Sequence, residues 1–233
     1  MNKKKLKIGL ITYRGNPSSG GQGIYINYLS RALSDLGHEV TVISGPPYPE
    51  IRKDIKLVKI PSLDLFSKKN KFLDVKFSEL LSLNNLKEWI SANTGGFPEP
   101  HTFGPRLEKF IEENAGQFDV IHDNQTLCKE LISLQKKLPL VTTIHHPITK
   151  DLEFQLKSTN DFFLKLLIKR WHSFIPTQIK VAKKLKKIVV PSESSRKDVV
   201  KDFSLKEASI EVVHNGIDSV SYTHLRAHET VRN

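Results

Sequence analysis

Several of the polar residues able to do chemistry in this chain stand where apolar runs stop. The run from Leu138 to Ile144 ends in His145-His146-Pro147, which sets an imidazole at the mouth of a buried strand, where α/β proteins hold their ligands. A neutral imidazole donates at one nitrogen and accepts at the other, and its ordinary pKa of about 6.5 suits proton transfer as well as hydrogen bonding. His145 is therefore a candidate for chemistry, its alternative being a histidine satisfied by a backbone carbonyl. A second run, Asp119 to His122, leads into Asp123-Asn124-Gln125 at another strand's end. A third, Lys7 to Thr12, is followed by a loop and then by Gly20-Gly21-Gln22-Gly23, which opens a helical pattern. Free N–H groups and the positive end of the dipole make such a helix start an anion site, and glycine lets a phosphate come close. A glycine turn with no ligand fits the same residues. The spacing is not the dinucleotide fingerprint, because Ile26 stands where the third glycine should fall, nor a P-loop, which ends in Gly-Lys-Ser or Gly-Lys-Thr.

The elements that must position these residues alternate between short apolar runs and longer periodic ones, the pattern of a parallel sheet wrapped in helices. The expected strands are Lys7 to Thr12, Glu39 to Ile43, Ile55 to Ile60, Asp119 to His122, Leu138 to Ile144, Lys187 to Val190 and Ile210 to Val213. The expected helices include Gly21 to Leu36, stopped by Gly37, then Thr126 to Lys137, and Ser195 to Phe203 with serine caps. Between Ser62 and Pro105 the pattern weakens into a loop-rich insertion, and Pro176 should split the stretch around it into two helices.

The composition, 233 residues with 38% apolar, allows one large core or two small ones. The lysine-rich start does not read as a signal peptide, because the apolar run after it is short and interrupted by Lys7. No stretch approaches the roughly 18 apolar residues of a membrane span, and the lone Cys128 cannot form an internal disulfide. The reading is a cytoplasmic protein. A net charge of +11 asks for an anionic partner. Much of it lies between Lys165 and Lys187, interleaved with Leu164, Leu167, Ile168, Ile179, Val181 and Leu185 at helical spacing. That face is either solvated or a peripheral contact with the anionic inner face of a membrane. Nucleic acid is not expected, since neither zinc spacing nor an aromatic-basic RNA signature is present. Metal binding by His145-His146 lacks further ligands at suitable spacing.

The end of the chain changes character. The string from Val220 to Thr230, VSYTHLRAHET, has neither period and resembles one reading frame of a sequencing-library adapter. We expect residues 219–233 to be a non-native tail rather than an ordinary disordered terminus.

In order, the glycine turn after the first strand, DVIHDNQ, TTIHHPITKD, KIVVPSESSRKDVVKDF and IEVVHNGID resemble the N-terminal half of glycosyltransferase family 4, over about Lys7 to Asp218. The resemblance implies a Rossmann-like, doubly wound α/β domain with helices on both faces, residues 1–218, as the acceptor-side half of a GT-B enzyme. The C-terminal donor-binding domain would be absent. It further implies a retaining transfer from a nucleotide-sugar donor to a glycan, lipid-linked or small-molecule acceptor, with no metal and no cofactor besides that donor. Gly20 and Gly21 would approach the donor's diphosphate, and His145 would hydrogen-bond the transferred sugar. Gln22, Asp123, Asn124 and Gln125 would line the acceptor side. Asp123 has a structural alternative, capping a helix at Thr126. His214 departs from the pattern, standing where relatives carry proline. A non-catalytic sugar- or ligand-binding module on the same fold remains the alternative function, followed by a nucleic-acid-binding protein, which the net charge alone would suit.

Overall fold

The computed structural model describes residues 4–17, 21–65 and 67–216; Gly20 and the expected tail, residues 219–233, lie outside them. All seven expected strands form: β1 Lys7–Thr12, β2 Glu39–Ser44, β3 Lys56–Lys59, β4 Val120–Asn124, β5 Leu140–Thr143, β6 Ile188–Val190 and β7 Ile210–Val212. Every pairing is parallel and the order is β3-β2-β1-β4-β5-β6-β7. β1 and β2 are buried from their second residue to their last, as expected where a parallel sheet is covered on both faces. Alternate side chains confirm the two layers. Ile8, Leu10, Val40 and Val42 join one apolar cluster, while Ile11 and Ile43 join another, because successive strand residues point to opposite faces.

The helices are α1 Gly21–Asp35, α2 Leu83–Asn93, α3 Glu99–Glu113, α4 Leu131–Lys137, α5 Thr149–Lys157, α6 Phe162–Trp171, α7 Ile175–Ala182 and α8 Glu193–Phe203. α1 ends where Gly37 takes φ +90°, a conformation costly for any residue with a Cβ. Ser192 caps α8, its hydroxyl accepting from the Ser195 N–H at 3.1 Å.

Three expectations needed correction. The helix expected from Thr126 starts only at Leu131, because the Asp123 carboxylate draws in the Thr126 N–H and Gln125 and Leu127 turn into the left-handed region, at φ 52° and 48°. The expected loop-rich insertion carries a 3-10 turn, Phe77–Leu81, and all of α2, and α3 runs through Gly104 and Pro105. Gly104 sits mid-helix for steric reasons: a Cβ there would strike the Glu130 carboxylate, so its absence lets α3 close on the loop before α4. The break near Pro176 falls earlier, at residues 172–174, and Pro176 lies in the first turn of α7, where a missing N–H costs nothing.

Candidate active site

A doubly wound sheet opens a crevice where neighbouring strands lead off in opposite directions, here between β1 and β4. A cleft of about 620 Å³ occupies that position. Gly21, Gln22 and Tyr25 reach it from α1, Gln125 from the end of β4 and His145 from the end of β5, while Phe97, Trp171 and Phe174 line the opposite side together with Asp151 and Phe154 of α5. Gly23 closes the first wall from behind. A Cβ on it would overlap the carbonyl oxygens of Gly15 and Asn16, so only glycine lets α1 start against the loop after β1.

Asn124 and Gln125 hold His145 from two sides. The Asn124 Nδ2 donates to the Gln22 carbonyl at 3.3 Å, which leaves its Oδ1 for the His145 Nε2 at 2.7 Å. Gln125 accepts from the His145 N–H at 2.7 Å and donates to the His146 carbonyl at 2.8 Å. The β4–β5 ladder ends at Asn124 and Thr143. Where the Gln125 backbone turns away, its side-chain amide continues the pairing with β5's extension. Non-glycine residues at positive φ cost about 1–3 kcal/mol and concentrate at functional sites. The Tyr25 ring meets the imidazole edge-on at 4.6 Å, and its hydroxyl lies 3.2 Å from the Thr143 hydroxyl, which His122 Nε2 also reaches at 2.7 Å.

Burial first, and then the neighbouring His146, pushes the His145 imidazole down to about 4. His122 is likewise pushed down to about 4, by burial and then by His145. Both rings are therefore neutral near pH 7, suited to hydrogen bonding rather than to binding anions by charge. Asp123 does not reach the cleft. It is fully buried, accepts from the Thr126 and Leu127 N–H groups at 3.1 and 3.4 Å, and burial pushes its carboxyl up to about 6. Asn124 is also fully buried, behind the wall, so of the four residues expected on the acceptor side Gln22 and Gln125 line the cleft. The reason is local: β4 turns within one residue, and its polar end serves the loop and His145 before it serves a ligand.

Sequence reasoning missed Tyr25, Arg14 and the aromatic side. Tyr25 was within reach, since it stands four residues after Gly21 and helical neighbours at that spacing share a face. The aromatic side was not, because Phe97 and Trp171 stack at 5.0 Å, with the Arg14 guanidinium 5.6 Å from the Phe97 ring centre, only once the insertion folds back. Among the described residues no group of three or more His, Cys, Asp or Glu could hold a metal ion.

The family model of Glycosyltransferase Family 4 matches residues 19–220, and the chain belongs to that family. The MMP alpha-(1->4)-mannosyltransferase of Mycolicibacterium hassiacum is 39% identical over 216 residues, 92% of this chain and 52% of that protein. The chain thus spans about half the length of that relative. Among solved structures, Arabidopsis thaliana UGT89C1 complexed with UDP aligns at TM-score 0.49 and 13% identity, over 92% of this chain and 49% of that one. An E. coli trehalose-6-phosphate structure bound with UDP-2-fluoro glucose aligns at TM-score 0.49 and 12% identity, over 95% and 54%.

Proposed function

We propose that this domain is the acceptor-side half of a retaining, GT-B glycosyltransferase that moves a sugar from a nucleotide-sugar donor to a glycan, lipid-linked or small-molecule acceptor in the cytoplasm. The observation that carries the reading is one cleft at the crossing of β1 and β4, lined by Gly21, Gln22, Gln125 and His145, in a chain of family 4. In it, Gly21 approaches the donor's diphosphate from the start of α1, where N–H groups and dipole favour an anion; the family resemblance gives Gly20, outside the described residues, the same role. His145, neutral at pH 7, hydrogen-bonds the transferred sugar and its transition state. Gln22 and Gln125 meet the acceptor. The relative's name makes mannose the first sugar to try.

These residues supply one wall of a reaction site. Transfer needs donor and acceptor held together, a proximity term of roughly 7–11 kcal/mol, so a second, donor-holding domain is required. The test compares residues 1–218 with the same sequence joined to a donor domain taken from the M. hassiacum relative, assayed with GDP-mannose and UDP-glucose and several mannoside acceptors. No turnover by the first and transfer by the second, lowered at least tenfold by His145→Ala, is the expected result. Robust transfer by residues 1–218 alone, or an unaffected His145→Ala, would overturn the reading.

A surface contact with anionic lipid belongs to the same proposal, now on a narrower segment. The apolar residues Ile175, Val181 and Ala182 of α7 are core, which removes them from any lipid face. α6 has no buried residue, and Phe162, Phe163, Leu166 and Leu167 stand more than half exposed beside Lys165, Lys169 and Arg170. Exposed aromatics flanked by cations suit an anionic bilayer surface. Among the described residues no helix is long and apolar enough to cross one. Cosedimentation with phosphatidylglycerol vesicles but not phosphatidylcholine vesicles, lost in Phe162→Ser/Phe163→Ser, is expected; equal sedimentation with both removes the contact.

A further inference from the structure

The imidazole of His145 has two nitrogens, and one is already committed. Its Nε2 lies 2.7 Å from the Asn124 Oδ1. The Asn124 amide cannot turn round without placing its Nδ2 against the ring and its oxygen against the Gln22 carbonyl, which now accepts from Nδ2 at 3.3 Å. An amide oxygen only accepts, so the ring nitrogen facing it must carry the proton. Asn124 is fully buried, so its amide is held away from solvent at its own end of both bonds, and Gln125 fixes the backbone on both sides of the ring.

We propose that Asn124 is the positioning residue that holds His145 in the Nε2–H tautomer, so that the ring meets its ligand through Nδ1, as a hydrogen-bond acceptor. A group recognised by such an acceptor must itself donate, which selects a hydroxyl and not a phosphate oxygen. The inference rests on the reading of the cleft as a sugar site only for what the hydroxyl belongs to. The tautomer itself follows from the protein alone. It also divides the cleft by chemistry: anion recognition falls to the N–H groups at the start of α1, and hydroxyl recognition to His145.

The test needs no activity. Long-range proton–nitrogen spectra of the ¹⁵N-labelled full chain at pH 7, with His145 identified by its loss in His145→Gln, should show the Nε2–H form. In Asn124→Leu the preference should relax toward a mixture. Asn124→Asp, which keeps the size if the leucine variant fails to fold, should retain Nε2–H and titrate about one pH unit or more above the wild type, because a carboxylate beside the ring favours imidazolium. The other titratable groups around the ring, His122 on β4, Tyr25 on α1, and His146 with its Asp151 partner on α5, are the same in all variants. Inorganic phosphate should leave the His145 nitrogen shifts in place. An Nδ1–H ring in the wild type, an Asn124→Leu tautomer or an Asn124→Asp titration identical to wild type, or a phosphate-driven shift toward imidazolium would each overturn the proposal. None of these results depends on sugar transfer, so a failed transferase assay leaves it standing and its failure leaves the transferase reading standing.

Discussion

The two walls of the cleft are built on opposite terms. On one, the start of α1 and the ends of β4 and β5 are joined by partly to fully buried hydrogen bonds: Asn124 to Gln22 and His145, Gln125 to residues 145 and 146, Asp123 to its own loop. On the other, α5 and α6 contain no buried residue. That wall is fastened by a few side chains, with Arg170 donating to Thr94 and Ser91 at 2.9 and 3.3 Å and Trp171 stacked on Phe97. A wall whose polar atoms are buried and mutually bonded cannot lose one partner cheaply, whereas the exposed faces of α5 and α6 can, although Phe97 and Phe174 behind them belong to the core. Position at the hydrogen-bonded edge is therefore fixed by the fold, and the exposed side of α5 and α6 is freer to adjust.

The sharpest way to break this contrast is Gly23→Val. The carbonyl oxygens of Gly15 and Asn16 occupy the space its side chain would need, and backbone cannot move aside as a flexible side chain can, so a loss of about 3 kcal/mol or more is expected. An unchanged urea midpoint would show that the first wall yields as easily as the second. Asp123→Ala comes next. It strips the acceptor from two N–H groups in a fully buried turn, a loss of about 1–3 kcal/mol, read from the same denaturation curves.

A pH comparison sharpens the contrast further. His145 has a folded pKa of about 4 against an ordinary 6.5, so between those values the unfolded chain binds the proton more readily. The stability this group contributes is present above about pH 6.5 and is lost as the pH falls toward 4. Wild type should therefore lose about 1–2 kcal/mol more than His145→Gln between pH 7 and pH 4, discounted for the ring's partial exposure. Parallel curves for the two proteins would mean that the ring is solvated and the wall open.

How far this division was legible in the sequence depends on how local its causes are. The seven strands were, because each is a short apolar run bounded by turn or polar residues, most continuous in β1 and β2, where burial of both faces leaves that signature. The polar ends of β4 and β5 could be located for the same reason. What each polar residue does could not: Asp123 and Asn124 are neighbours, yet one serves its loop and the other a ring on the next strand. The left-handed turn at Gln125 had no glycine or asparagine to announce it. α6 and α7 show the limit most plainly. Both interleave lysine with aliphatic residues at helical spacing, but α7 buries its stripe in the core, whereas α6 has no fully buried residue and packs on the core only through Trp171 at its end. The period says that a stripe exists, not what covers it.

The smallest effect belongs to the wet wall and tests its half of the contrast directly. Phe163 is 75% exposed and Leu166 56% exposed, so unfolding brings little of either side chain newly into contact with water. Burial of apolar area stabilises by about 25 cal/mol per Å² only for area that leaves water on folding, and here most of it does not. Phe162 and Phe163 touch edge-on at 5.8 Å, a contact between two exposed rings. Serine at position 163 or 166 should therefore move the unfolding free energy by no more than about 0.5 kcal/mol, as exposed positions without special features usually do. The same variants should remove apolar surface available to another body, lowering self-association measured by sedimentation. A loss of stability as large as that of Asp123→Ala would mean that the outer face of α6 at Phe163 and Leu166 packs against the domain, and the distinction between a fixed and an adjustable wall would fall.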